Sequence, residues 1–99
     1  MKKVSVVWSA EAFTDLETIY DFLAEQAPES AQKIAEKILS RTRQIETFPE
    51  SGTEQIFQAK KYRYLVEGNY KIIYRIEDRC AYILTVFDTR YNPDKLKLQ

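Results

Sequence analysis

Between Phe13 and Phe48 the apolar side chains recur every three or four residues, broken once at Pro28. That spacing describes two amphipathic helices. The first stripe is Phe13, Leu16, Ile19, Tyr20, Leu23 and Ala27, with Glu11, Asp15 and Glu25 falling on the wet side. Ser9 stands where an N-cap would accept a free backbone N–H, and Glu11 lies in the first turn, beside the positive end of the helix. The helix ends before Pro28, because a proline pushes the preceding residue away from helical angles. Pro28 in turn suits the first position of a second helix. Its stripe is Ala31, Ile34, Ala35, Ile38, Thr42, Ile45 and Phe48, and Pro49 and Gly52 end it. So short a break makes the two helices an antiparallel hairpin. Each has a single apolar face, so the pair must cover something else as well.

The remainder of the chain supplies that partner. Lys3–Trp8 is a short strand-like run, and after a polar stretch from Glu50 to about Ala59 come three segments rich in tyrosine, isoleucine and valine: Tyr62–Val66, Tyr70–Ile76 and Cys80–Phe87. Glu67-Gly68-Asn69 and Glu77-Asp78-Arg79 separate them by hairpin-length breaks. The expected fold is α+β: an N-terminal strand, an antiparallel two-helix hairpin, then a three-stranded antiparallel meander, in the order β-α-α-β-β-β. In the middle strand Tyr70, Ile72, Tyr74 and Ile76 should face the helices, and Lys71, Ile73, Arg75 and Glu77 the other side. Two glycines and three prolines leave few breakpoints in 99 residues, so residues 1–99 read as one domain.

What the chain lacks removes most enzyme classes. It has no histidine, so imidazole acid–base chemistry and histidine metal sites are excluded. A single cysteine, Cys80, forms no internal disulfide and builds no thiolate zinc site; in a strand-like run it reads as a small packed residue. Gly52 and Gly68 stand alone, so there is no glycine-rich phosphate loop, and no cofactor or metal is expected. The acids between Glu11 and Glu29 read as a solvated helix face. No apolar run approaches the roughly 18 residues of a membrane span and no signal-peptide core precedes the first strand, which points to the cytoplasm.

Net charge is zero, but its distribution is not even. Residues 1–29 hold two lysines against six acids, residues 30–59 balance at four against four, and residues 60–99 carry nine bases against five acids. Lys60, Lys61, Arg63, Lys71, Arg75, Arg90 and Lys95 come from segments that a meander would set side by side, with Tyr62, Tyr64 and Tyr91 among them. Three readings of this cluster stay open. Bases beside aromatic rings contact phosphates and stack on nucleobases; they also suit a groove for an acidic, apolar peptide; or the tyrosines are core and the bases only solubilise.

Taken together, these segments resemble the RelE/ParE toxin superfamily. The resemblance is carried by Trp8-Ser9 leading into a helix with Ala12, Asp15-Leu16 and Ile19-Tyr20, by Phe48-Pro49 and Gly52 closing the second helix, by Tyr62-Arg63-Tyr64-Leu65, by Gly68-Asn69-Tyr70-Lys71-Ile72-Ile73-Tyr74-Arg75, and by Ile83 through Pro93 with its Val86-x-x-x-Arg90-x-x-Pro93 ending. It implies the toxin of a type II toxin–antitoxin pair, bound by a cognate antitoxin through a short acidic or apolar segment in a hetero-oligomer. RelE-like members are ribosome-dependent mRNA endonucleases, and in that branch Arg63, Lys71, Arg90 and Tyr91 would be the catalytic set. Cations there would hold the charge developing on phosphate, with Tyr91 as proton donor. The match to that set is partial: Lys71 stands where an arginine is usual, and Asp88 where many relatives have histidine. ParE-like members, with long paired helices and no complete nuclease set, resemble the chain more fully and imply poisoning of DNA gyrase. In that branch Lys60, Lys61, Arg63, Lys71, Arg75, Arg90 and Tyr91 are the expected target- or antitoxin-binding residues. A degenerate relative that only binds its antitoxin is the third implied possibility.

Overall fold

A computed structural model describes residues 3–91. It contains, in chain order, β1 (Ser5–Trp8), α1 (Ala10–Gln26), α2 (Pro28–Thr47), β2 (Thr53–Phe57), β3 (Lys60–Glu67), β4 (Tyr70–Glu77) and β5 (Cys80–Asp88). The helical hairpin forms where the stripes place it. Ser9 caps α1 by accepting the Ala12 N–H at 3.0 Å, and Pro28 opens α2 after one non-helical residue, Ala27. The strands make one five-stranded sheet in the order β1-β5-β4-β3-β2; β1 runs parallel to β5 and the other pairings are antiparallel.

The meander therefore has four strands rather than three. The stretch from Glu50 to Ala59, expected as a loop, contains β2, and β3 begins at Lys60, two residues earlier than the sequence suggests. The reason is local. Thr53-Glu54-Gln55-Ile56-Phe57 shows no alternation because β2 is an edge strand, pairing only with β3. Its hairpin turns on Gln58 and Ala59, both at positive φ, where glycine or asparagine would ordinarily announce the turn.

The core lies between the helices and one face of the sheet, where Ala12, Ile38 and Ile45 meet Leu65, Ile72, Tyr74, Ala81, Ile83 and Val86. Removing each of the large aliphatic groups from water contributes about 1.5–3 kcal/mol. The expected facing of β4 holds for Tyr70, Ile72 and Tyr74, which are buried toward the helices. It fails at Ile76, which is 39% exposed, and Ile73 is nearly sealed at 2% on the side opposite the helices. The register explains part of this. Ile73 pairs with Thr85 but Tyr74 with Ile83, so Leu84 is an extra residue, a bulge that bends β5 and tightens the local twist.

Helix α1 is turned from its expected setting. Phe13 and Tyr20 are 55% and 41% exposed, while Asp15, expected on the wet side, faces β5. Its Oδ2 accepts the Thr85 hydroxyl at 2.8 Å and the Val86 N–H at 3.0 Å.

At the α2–β2 junction the Tyr74 side chain, fully buried, donates its hydroxyl to the Pro49 carbonyl at 2.7 Å and accepts the Gly52 N–H at 3.0 Å. A Cβ on Gly52 would meet the Tyr74 Oη at 2.5 Å and the Tyr64 carbonyl at 2.9 Å. Gly52→Ala should destabilise by about 1–3 kcal/mol through overpacking. Tyr74→Phe should cost about 1–3 kcal/mol by leaving buried partners unpaired. Urea unfolding of both variants checks this, and unchanged midpoints would contradict the junction's role.

Candidate functional site

Strand alternation sorts the candidate residues by face. On the face without helices, three cross-strand rows follow from the pairings: Val7–Tyr82–Arg75, Thr53–Tyr64–Ile73 and Val66–Lys71–Phe87. Tyr62 (opposite Gln55) and Lys60 (opposite Phe57) lie on the same face as Tyr64. This face interleaves cations with aromatic rings. The Lys71 ammonium sits 3.9 Å above the Tyr64 ring, and the Arg75 guanidinium lies 5.6 Å from the centre of Tyr82 while pairing with Glu77 at 3.4 Å.

Lys61 and Arg63 lie on the opposite face. Arg63 is across from Glu54 and Tyr74, and donates through Nη1 to the carbonyls of Gly52 at 2.9 Å and Glu50 at 3.2 Å. Its Nη2 lies 3.6 Å from Glu54, which also pairs with Lys61 at 3.1 Å. The Arg63 side chain is thus occupied in holding the α2–β2 junction. Lys71 and Arg63, which the nuclease pattern needs at one phosphate, point to opposite sides of the sheet.

Arg90 and Tyr91 belong to a third place. Where α1 crosses the end of β5, a cleft of about 440 Å³ opens between Ile19 and Phe22 of the helix and Val86 and Phe87 of the strand. Asp15 and Asp88 add carboxylates to its wall, and Tyr91 forms part of its rim. Arg90 is held by Asp88 through two side-chain contacts of 2.8 and 3.1 Å and through its backbone N–H, and its guanidinium lies 5.2 Å from the Tyr91 ring. The hydrogen bonds from Arg90 hold the Asp88 carboxyl below the usual carboxylate range despite its partial burial, and Asp88 in turn raises Arg90. Tyr70, beside them, is raised by burial first and then by Asp88. Lys95, counted with the basic cluster, and Asn92 and Pro93, which end the quoted motif, lie outside the described residues.

The candidate residues are therefore divided into three groups. Lys60, Lys71 and Arg75 share the helix-free face, Lys61 and Arg63 share the other side with Glu54, and Arg90 and Tyr91 flank the cleft. Three further residues were not singled out from the sequence. Tyr82, third in its strand segment, is assigned to the basic face by the β4–β5 register. Phe22 falls outside the α1 stripe, which is itself a signal of an apolar residue with a different neighbour. Asp15 carries no sequence signal of its role, because a carboxylate on a helix ordinarily faces water.

The Asp88–Arg90 pair gives a pH prediction. Because the Asp88 carboxyl is depressed in the folded protein, the pair is intact above the ordinary carboxylate range and is lost as pH falls through the lowered value. Carboxyl-carbon NMR should show Asp88 titrating below the exposed acids, and Arg90→Gln should return it to the ordinary range. An Asp88 that titrates with the other acids would contradict the pairing.

Comparison with known proteins agrees with the architecture. A solved structure described as the chromosomal ParDE toxin–antitoxin system from P. aeruginosa superposes with a TM-score of 0.75 at 21% identity, covering 87% of this chain and 96% of that one. The toxin–antitoxin complex RelBE2 from Mycobacterium tuberculosis gives 0.63 at 18% identity, covering 87% of this chain and 98% of that one. At these identities both likenesses bear on the fold. No curated relative matches significantly by sequence. The family described as the ParE toxin of the type II toxin–antitoxin system parDE matches residues 6–93, from the first strand past the cleft. A match over that length, on a strand, a helical hairpin and a meander in this order, makes the chain a member of the ParE toxin family within the RelE/ParE superfamily of type II toxin–antitoxin systems.

Proposed function

We propose that the chain arrests bacterial growth by poisoning DNA gyrase, without cleaving RNA, and that a cognate antitoxin neutralises it in a hetero-oligomeric complex. The observation that carries the non-catalytic reading is the dispersal of the four candidate nuclease residues. Arg63 is committed to backbone carbonyls on the helix-bearing side, Lys71 lies on the other face, and Arg90 is neutralised by Asp88 beside Tyr91. General acid–base cleavage needs a base and charge-stabilising cations around one phosphate, and this placement disfavours it. With nuclease chemistry disfavoured, the target suggested by membership in the ParE family is gyrase, engaged by binding alone.

The antitoxin reading draws on the two similar structures, which are a ParDE system and a RelBE2 toxin–antitoxin complex. The cleft between α1 and β5 suits the apolar side chains of such a partner, because Phe22 stands 53% exposed at its wall.

Two measurements test the function. After induction, DNA synthesis should stop before translation falls, and the purified chain should inhibit gyrase supercoiling or trap cleaved DNA. Normal supercoiling at toxin excess, with new mRNA 5′ ends on translating ribosomes, would replace this reading with the nuclease one. Co-expression with the product of an adjacent small gene should restore growth, and Phe22→Asp should weaken capture of that product; full capture by the variant would remove the cleft from the interface.

A further inference from the structure

We propose that the helix-free face of the sheet binds single-stranded nucleic acid, DNA or RNA, by stacking bases on its tyrosines and pairing phosphates with Lys60, Lys71 and Arg75. The core contacts of both helices are with the other face, and α1 meets this one at its β5 end, where Asp15 accepts the Thr85 hydroxyl and Phe87 lines the cleft. Its charge is one-sided: among the strand residues that the register assigns to it, Glu77, paired with Arg75 at 3.4 Å, is the one acid against those three bases, which leaves Lys60 and Lys71 in excess. Its aromatic content is ordered. Tyr62 and Tyr64 are two residues apart on β3, which places them roughly 6.6–6.8 Å from each other along the strand, a separation an extended polynucleotide can match with successive bases. Tyr82 lies two strands away from β3, next to Arg75.

The cations are already placed against rings. Lys71 rests 3.9 Å over Tyr64, so an ammonium that moves to a phosphate frees that ring face for a base, and Arg75 lies 5.6 Å from the Tyr82 centre, beside a second ring. Every base offers a π-face, so such a platform tolerates sequence, and a duplex, whose faces are buried in its own stack, cannot use it. An acidic peptide would use the cations and leave the tyrosines idle, which is why the occupant proposed is a nucleic acid.

Fluorescence anisotropy of the purified chain with labelled oligothymidylate and oligouridylate of about 15 nucleotides, within the length range of single-strand sites, tests the surface. A duplex of equal length and a polyglutamate of equal charge serve as competitors. Either single strand should bind at least tenfold more tightly than the duplex, and the preferred sugar identifies whether the ligand is DNA or RNA. The slope of log affinity against log salt should be about −2 for three neutralised phosphates, and Lys71→Gln or Arg75→Gln should each reduce it by about 0.7. Tyr62→Ala and Tyr82→Ala should each weaken binding roughly fivefold or more, whereas Tyr62→Phe and Tyr82→Phe, which keep the rings, should retain it. Lys33→Gln, on the exposed side of α2, should change nothing.

Absence of binding overturns the proposal. So do equal affinity for duplex, displacement by polyglutamate, or ring-deleting variants that bind as tightly as the native chain, because each reduces the face to a patch of charge. The proposal stands apart from the gyrase reading. Gyrase poisoning without oligonucleotide binding removes this surface alone, and oligonucleotide binding without gyrase poisoning removes only the target.

Discussion

The buried hydroxyl of Tyr74 fixes the junction on which the sheet side of the fold depends. It sits in the middle of β4 and is held protonated by its burial, so that it can donate to Pro49 while it accepts from Gly52. Those two bonds set the point at which the chain leaves α2 and enters the sheet, and only a residue without a Cβ fits there. The carbonyls of Glu50 and Gly52 are then presented to Arg63, whose guanidinium satisfies both. Gly52 is buried, and a buried carbonyl left unpaired costs about 1–3 kcal/mol, so this arginine is drawn into the structure and away from any ligand. The same junction that adds β2 to the sheet thereby removes one cation from the candidate site.

A second constraint acts at the opposite end of the sheet. β1 accompanies β5 only as far as Ile83, and among the described residues the outer edge of β5 beyond that point has no neighbouring strand. Open strand edges invite pairing with other chains. Here side chains from the start of the helical hairpin close the edge: the Ser9 hydroxyl donates to the Leu84 carbonyl, and the Asp15 carboxylate takes the Val86 N–H as a neighbouring strand's carbonyl would. This use of Asp15 rotates α1, which explains why Phe13 and Tyr20 are left exposed and why Phe22 reaches the cleft.

The helices and the last three strands were legible because each carries its own period and its own punctuation: Ser9, Pro28 and Pro49 for the first two, Gly68 and the Asp78 turn for the others. β2 was not, since an edge strand has no buried face to imprint an alternation and its turn uses Gln58 and Ala59. The facing of α1 departs from its apolar stripe for a different reason. Hydrophobic periodicity reports where apolar groups lie, and a carboxylate that completes a strand edge counts against the correct face. For the candidate site, composition found the right residue types, but Lys60 and Lys61 are adjacent on one strand and therefore point to opposite faces. Strand parity alone separates Lys61 and Arg63 from Lys60; the loss of Arg63 to the junction carbonyls depends on Tyr74 and Gly52, which no local pattern reports.

The uneven charge along the chain acquires a spatial meaning from this architecture. The acidic N-terminal third becomes β1, α1 and the start of α2, whereas the basic stretch from Lys60 onward supplies β3, β4 and β5, so a chain of zero net charge presents an acidic first helix and a basic, tyrosine-bearing sheet face. Partners of different chemistry can then address different sides of one small domain. The two sides meet at Phe87, which the register places in the row of Lys71 and Val66, and which also lines the cleft against Phe22. Phe87 is 3% exposed and close-packed interiors transmit displacement rather than absorb it. Under the proposed function, an antitoxin segment seated in the cleft would therefore press on the end of the row that carries Lys71, which gives antitoxin binding a physical route to the basic face without requiring two ligands to compete for the same atoms.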